Sequence, residues 1–115
     1  MSNTINNKME LIRGTTPTII INVKEQIDLA QVTAIWVYIS QNKKILVDKE
    51  LEDVSFDVDN RQIITTLKQE DTLNLKAGEA LFQIRLLLNN GTALATIAAE
   101  ITINEVYKGG VIKDE

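Results

Sequence analysis

The chain of 115 residues has no cysteine and no histidine, a single proline, five glycines, and only one Trp, two Tyr and two Phe. Without Cys or His there is no zinc finger, no haem ligation, no thiol or Ser/His nucleophile and no imidazole acid-base catalyst. An enzyme here would work with carboxylates, Lys, Arg and hydroxyls alone. Basic side chains number 12 against 16 acidic ones, so the clustered cations that bind phosphate are missing and no nucleic-acid partner is expected. No run approaches the roughly 20 apolar residues of a membrane helix, and no membrane partner is expected. The polar, Asn-rich start Met1–Lys8 lacks the basic-then-apolar pattern of a secretory signal, so a cytoplasmic site of synthesis is expected. At this length folding removes roughly 65% of the surface of the extended chain, enough for one hydrophobic core without disulfides or a structural metal. Residues 1–115 are therefore taken as one domain, with a polar N-terminal arm (1–9) and a C-terminal tail (105–115).

What is present has a period of two. Thr18 to Val23 is β-branched almost throughout, which suits a pleated, half-buried surface and not a helix. From Gln31 to Ser40, Ile35, Val37 and Ile39 fall on one face and Ala34, Trp36 and Tyr38 on the other. Asn42-Lys43 reads as a turn, and Ile45, Val47 and Leu51 then alternate imperfectly with Asp48, Lys49 and Glu50, as at a sheet edge. Val54, Phe56 and Val58 alternate with polar residues up to a turn at Asp59-Asn60, and Gln62 to Leu67 is the return strand. Between Leu67 and Leu75 the spacing changes to one or two helical turns, closed by Gly78.

The runs Glu79–Asn89 and Thr92–Asn104 form the clearest hairpin, joined through Asn90-Gly91, the pair that a type I′ turn prefers. On this reading Phe82, Ile84, Leu86 and Leu88 share one face, and Ala95, Ile97, Ala99, Ile101 and Ile103 share the core face of the last strand. Short strands with turn signals roughly every 8 to 12 residues, one short helix and no βαβ rhythm predict an all-β chain. The expected architecture is an immunoglobulin-like Greek-key β-sandwich of seven to eight strands.

Three stretches together carry a family likeness: Leu11-Ile12-Arg13-Gly14-Thr15-Thr16-Pro17-Thr18-Ile19, Leu67-Lys68-Gln69-Glu70-Asp71-Thr72-Leu73 and Gly110-Val111-Ile112. They resemble small structural proteins of the tail and baseplate modules of phages and prophages of Gram-positive bacteria. The first stretch is also similar to the N-terminal sandwich domain of upper-baseplate proteins. This resemblance spans about residues 10 to 112. It implies a non-catalytic particle component, made in a bacterial cytoplasm and incorporated in a virion or phage-like particle. No catalytic, metal or cofactor residue is carried over by it.

The remaining chemistry is thin. Asp57-Val58-Asp59-Asn60 opens like a calcium loop, but Gln62 and Lys68 stand where its Gly and Glu belong, so no metal is assigned. Asp48, Glu50, Glu52 and Asp53 lie along one strand and its turn and not across a cleft, and no catalytic pair is assigned. Arg13-Gly14 lacks the other glycines and the Lys of a phosphate loop. Gly14 is read as a position of unusual dihedrals, Pro17 as fixing the lead-in to the first long strand, and Arg13 as holding that corner through carbonyls or a carboxylate. No cofactor is expected.

Trp36 and Tyr38 carry the functional expectation. With Ile35, Val37 and Ile39 in the core, the two aromatics point out, beside Leu81, Leu87 and Leu94 on the same parity. An outward apolar face of this size marks a contact surface in a soluble chain. The expected partners are other particle proteins or a second copy of the chain. A sugar-binding aromatic platform is the alternative, and coverage by a terminal arm would cancel both.

Overall fold

The computed structural model describes residues 9–24, 26–96 and 98–113. Strands are numbered in chain order: β1 (Met9–Ile12), β2 (Thr18–Asn22), β3 (Val32–Gln41), β4 (Lys44–Lys49), β5 (Val54–Asp57), β6 (Gln62–Thr66), β7 (Gly78–Leu88), β8 (Ala93–Ala95) and β9 (Ala99–Asn104), with one helix, α1 (Gln69–Leu73). One sheet runs β1-β9-β7-β3-β4 with β8 also on β7, and the other runs β2-β6-β5. This is the expected immunoglobulin-like β-sandwich. Among the described residues it has nine strands instead of seven or eight, for two reasons. Met9–Ile12, expected in part as arm, pairs in parallel with β9, and the last expected strand is cut into β8 and β9.

Ile35, Val37 and Ile39 of β3, Phe82, Ile84 and Leu86 of β7, and Ile101 and Ile103 of β9 are buried against Ile19 of β2 and Ile63 of β6. Each such side chain contributes about 1.5–3 kcal/mol when taken out of water, so alternation along three neighbouring strands is what fastens the two layers. Leu67 and Leu75 close the core at the α1 end.

Irregular pairing resets this alternation in three places. At the β3–β7 pair the register shifts between Val32 and Ala34, skipping Thr33, whose hydroxyl donates to the Leu87 carbonyl at 3.2 Å. At the β3–β4 pair Ser40 faces Ile45 but Ile39 faces Val47, so Leu46 is an extra residue. Ile45 and Val47, expected on one face, therefore point to opposite sides, with Ile45 exposed and Val47 buried. Between β8 and β9 the partners of β7 change from Leu86↔Leu94 to Phe82↔Ala99, a one-residue offset. Thr96 bridges it: its N–H donates to the Ile84 carbonyl at 2.9 Å and its hydroxyl accepts from the Ile84 N–H at 3.1 Å.

That last offset corrects the expected face of the final strand. Ile101 and Ile103 are buried, but Ala95 and Ala99 are exposed, and Ile97 lies outside the described residues.

The turn chemistry is also distributed otherwise than expected. The type I′ turn is Asn42-Lys43, with φ of 52° and 66°, joining β3 to β4 by two residues. Asn90-Gly91 instead belongs to a three-residue loop, in which the Gly91 N–H bonds the Leu88 carbonyl at 3.0 Å and the Leu88 N–H bonds the Thr92 carbonyl at 2.9 Å. Only Gly91 is left-handed there, at φ 89°. The Asn90 side chain serves the loop by accepting from the Thr92 N–H at 2.9 Å.

Candidate functional site

Arg13, Gly14 and Pro17 make a structural corner, as the sequence suggests. The Arg13 guanidinium donates from Nε to the Leu75 carbonyl at 2.8 Å and from Nη2 to the Leu73 carbonyl at 3.1 Å, and its Nη1 pairs with Glu105. It thus supplies both the carbonyl bonds and the carboxylate contact expected of it, capping α1 and tying it to the segment after β9. Gly14 follows at φ 80°, a conformation that L side chains resist. The Pro17 carbonyl accepts from the Leu67 N–H at 2.9 Å, which sets β2 beside β6. Buried Thr72 completes the corner by donating its hydroxyl to the Thr15 carbonyl at 2.8 Å.

The carboxylates considered for chemistry are occupied locally. Asp57 accepts from both the main-chain and side-chain nitrogens of Asn60, at 3.1 and 2.8 Å, which holds its carboxyl below the usual range. Asp53 accepts from the Glu50 N–H at 3.0 Å and closes a short 3-10 turn. Asp71 sits in α1, where burial pushes its carboxyl upward. The Lys49 ammonium at 2.7 Å and the Lys68 N–H at 2.8 Å outweigh that and leave it below the usual range. Among the described residues no three carboxylates gather as metal ligands, and no helix is long and apolar enough to cross a membrane.

The outward face of the larger sheet is built by cross-strand rows. Ala34 pairs with Leu87 and Leu87 with Ala93, while Trp36 pairs with Arg85 and Arg85 with Ala95. Tyr38 pairs with Gln83, and Ile45, Ser40, Leu81 and Glu100 form the next row. Trp36, Leu81 and Leu87 remain 47%, 46% and 39% exposed, as their parity predicts. Tyr38 is half-buried, its hydroxyl donating to Gln83 Oε1 at 2.6 Å while Gln83 Nε2 donates to the Thr96 carbonyl at 2.8 Å. The tyrosine is thereby tied to its own sheet, and Trp36 is the projecting aromatic.

Leu94 does not belong to this face. It lies opposite Leu86 on the core side of β8 and packs against the core. The offset at Thr96 causes the error: counting back from Ile101 without it assigns Leu94 outward and Ala95 inward, the reverse of the observed placement.

Two contributors were missed by sequence reasoning. Arg85 lies over the Trp36 ring, its guanidinium carbon 5.0 Å from the ring centroid, a cation–π arrangement that orders the indole. Its signal was present, because Arg85 shares the outward parity of Leu81 and Leu87. Ile45 joins the face only through the extra residue at Leu46, which no local pattern announces. Beside Trp36 is an open depression of about 240 Å³ whose walls include Ala34, Arg85, Leu87 and Ala93.

The tail does not cover the face. Its main chain docks at α1, where the Ile112 N–H donates to Gln69 Oε1 at 2.7 Å and Gln69 Nε2 donates to the Ile112 carbonyl at 3.1 Å. The expected arm, apart from Met9, lies outside the described residues, as do Asp114 and Glu115.

No protein-family model matches the chain. No curated protein matches it in sequence. Among solved structures it is similar to CopC from Methylosinus trichosporium OB3b, with a TM-score of 0.53 and 14% identity over 89% of this chain and 87% of that one. The extracellular domain of the voltage-gated sodium channel beta4 subunit, described as a parallel homodimer, aligns over 100% of this chain and 98% of that one, with a TM-score of 0.38 and 11% identity. The likeness to CopC is one of fold.

Proposed function

We propose that the chain is a non-catalytic assembly module, a structural component of a phage or prophage particle that works through protein–protein contact at the Trp36 face. The observation that carries this reading is the outward row of Trp36, Arg85 and Leu87, exposed on a sheet whose opposite face is fully committed to the core. Aromatic and Arg side chains dominate contact energetics when desolvated, with truncations costing about 2 kcal/mol or more. The particle setting is supported by the likeness of the Arg13–Ile19, Leu67–Leu73 and Gly110–Ile112 stretches to tail and baseplate proteins. Partners are a second copy or neighbouring particle proteins.

A sugar platform is the second reading, favoured by an exposed indole beside an open depression. Against it, Arg85 occupies one face of the ring on which a pyranose would stack.

Sedimentation over a concentration series tests the proposal. Trp36→Ala should weaken association at this face tenfold or more while leaving the melting temperature nearly unchanged. A mutant that unfolds, beside a wild type that stays monomeric at high concentration, would overturn it. Retained association together with lost binding to a glycan series would favour the platform instead.

A further inference from the structure

A second apolar surface lies at the far end of the sandwich, between the two sheets. β2 is the edge strand of its sheet, and β8 pairs only with β7. β1 pairs with β9 and stops short of β8, so among the described residues no strand bridges the two edges there. Between them is a cleft of about 420 Å³, floored by Ile63 and Ile84, walled by Ile21, Val23, Ile27 and Leu94, with Lys24 at its rim. It is wide enough for several side chains and takes the form of a groove lined by two free strand edges.

The same chain carries apolar side chains that pack on nothing of its own. In the tail, Tyr107 is fully exposed and Ile112 is 80% exposed. The Ile112 main chain is fixed at both N–H and carbonyl by Gln69, so the segment is presented and its side chains are aimed away from the body. Tail and cleft sit at opposite ends. Gly78 of β7 pairs with Ile103 next to the tail, whereas Leu86 of β7 lines the cleft, and eight residues of strand separate them by roughly 27 Å. One molecule therefore cannot place its pinned Tyr107–Ile112 segment in its own cleft.

We propose that the cleft between β2 and β8 receives the Tyr107–Ile112 segment of a second copy, giving a head-to-tail contact. Charge agrees with this occupant: Lys24 stands at the rim, and Asp114 and Glu115 follow Ile112 in sequence. Because donor and acceptor surfaces differ, the contact is heterologous and propagates as a ring or an open row. It uses no residue of the Trp36 face and holds or fails independently of it.

Two surface variants test it on the full-length chain. Tyr107→Ser with Ile112→Asp removes the donor, and Ala95→Arg, at an exposed position lining the cleft, blocks the acceptor; melting curves confirm that both fold. Sedimentation should show each variant losing at least tenfold in head-to-tail association. Mixing the two should restore a single 1:1 complex that grows no further, since one partner supplies the cleft and the other the tail. Trp36→Ala should leave this 1:1 pairing intact. A wild type that is monomeric at millimolar concentration, variants that associate like the wild type, or a mixture without heterodimer would each overturn the proposal.

Discussion

At the α1 end of the sandwich each element is tied to the next by side chains bonded to main chain, whereas the end carrying Leu94 and Thr96 is held by a strand of three residues. Around α1, Arg13, Thr72 and Gln69 join four segments, and Asn74 Nδ2 donates to the Leu46 carbonyl of β4 at 2.6 Å. At the other end the loop Asn89–Gly91, the short β8 and the offset at Thr96 follow one another, and a cleft opens beside them. The lesson is that this small domain places its polar cross-links where connections crowd together and leaves sheet edges open where a partner can complete them.

Substitutions at the two ends should separate this difference, and the largest effect belongs to the closed end. Arg13→Ala removes three charge-assisted contacts and leaves the Leu73 and Leu75 carbonyls without their donor, so chemical denaturation should show a loss of about 2–4 kcal/mol. An unchanged midpoint would mean that α1 is held by burial of Thr72 and Leu75 alone.

At the open end, Gly91→Val forces a β-branched residue into φ 89° with empty space around its side chain. The expected loss is about 1–2 kcal/mol, from backbone strain only. A loss as large as that of Arg13→Ala would contradict the contrast between the ends.

The smallest effect is pH-dependent. The lowered carboxyl of Asp71 contributes stability that is fully present above its unfolded value, near 3.8, and is lost as pH falls through its folded value. Asp71→Asn should therefore cost about 0.5–1 kcal/mol at neutral pH and flatten the acid limb below pH 4. Equal acid limbs in both proteins would remove Lys49 and the Lys68 N–H as its stabilisers.

Much of this architecture was legible locally. The β-branched run from Thr18, the alternation of Ile35, Val37 and Ile39, and the helical spacing between Leu67 and Leu75 each state their own structure, because burial of one face imposes its period on the sequence. The outward placement of Trp36, Leu81 and Leu87 followed from the same parity. Leu94, Ala95 and Ile45 were misplaced because an extra residue in a pairing is a property of two strands and leaves no mark in either one. The parallel pairing of β1 with β9 was hidden for a related reason, since four residues carry too little pattern to identify a partner ninety residues away. The turn at Asn42-Lys43 was visible, but its type was not, because Asn90-Gly91 has the stronger local preference for a type I′ turn and yet sits in a loop one residue too long for it.

Trp36 is the single tryptophan of the chain, so its fluorescence reports on the proposed contact face without interference. The most direct measurement is quenching by acrylamide as the protein is concentrated, or as it is assembled into its particle. The account predicts strong quenching of the dilute chain, falling several-fold on association and no longer falling when Leu87→Asp disrupts the face. Weak quenching at every dilution would place Trp36 under cover within the monomer, and strong quenching that persists through assembly would show that the face meets no partner.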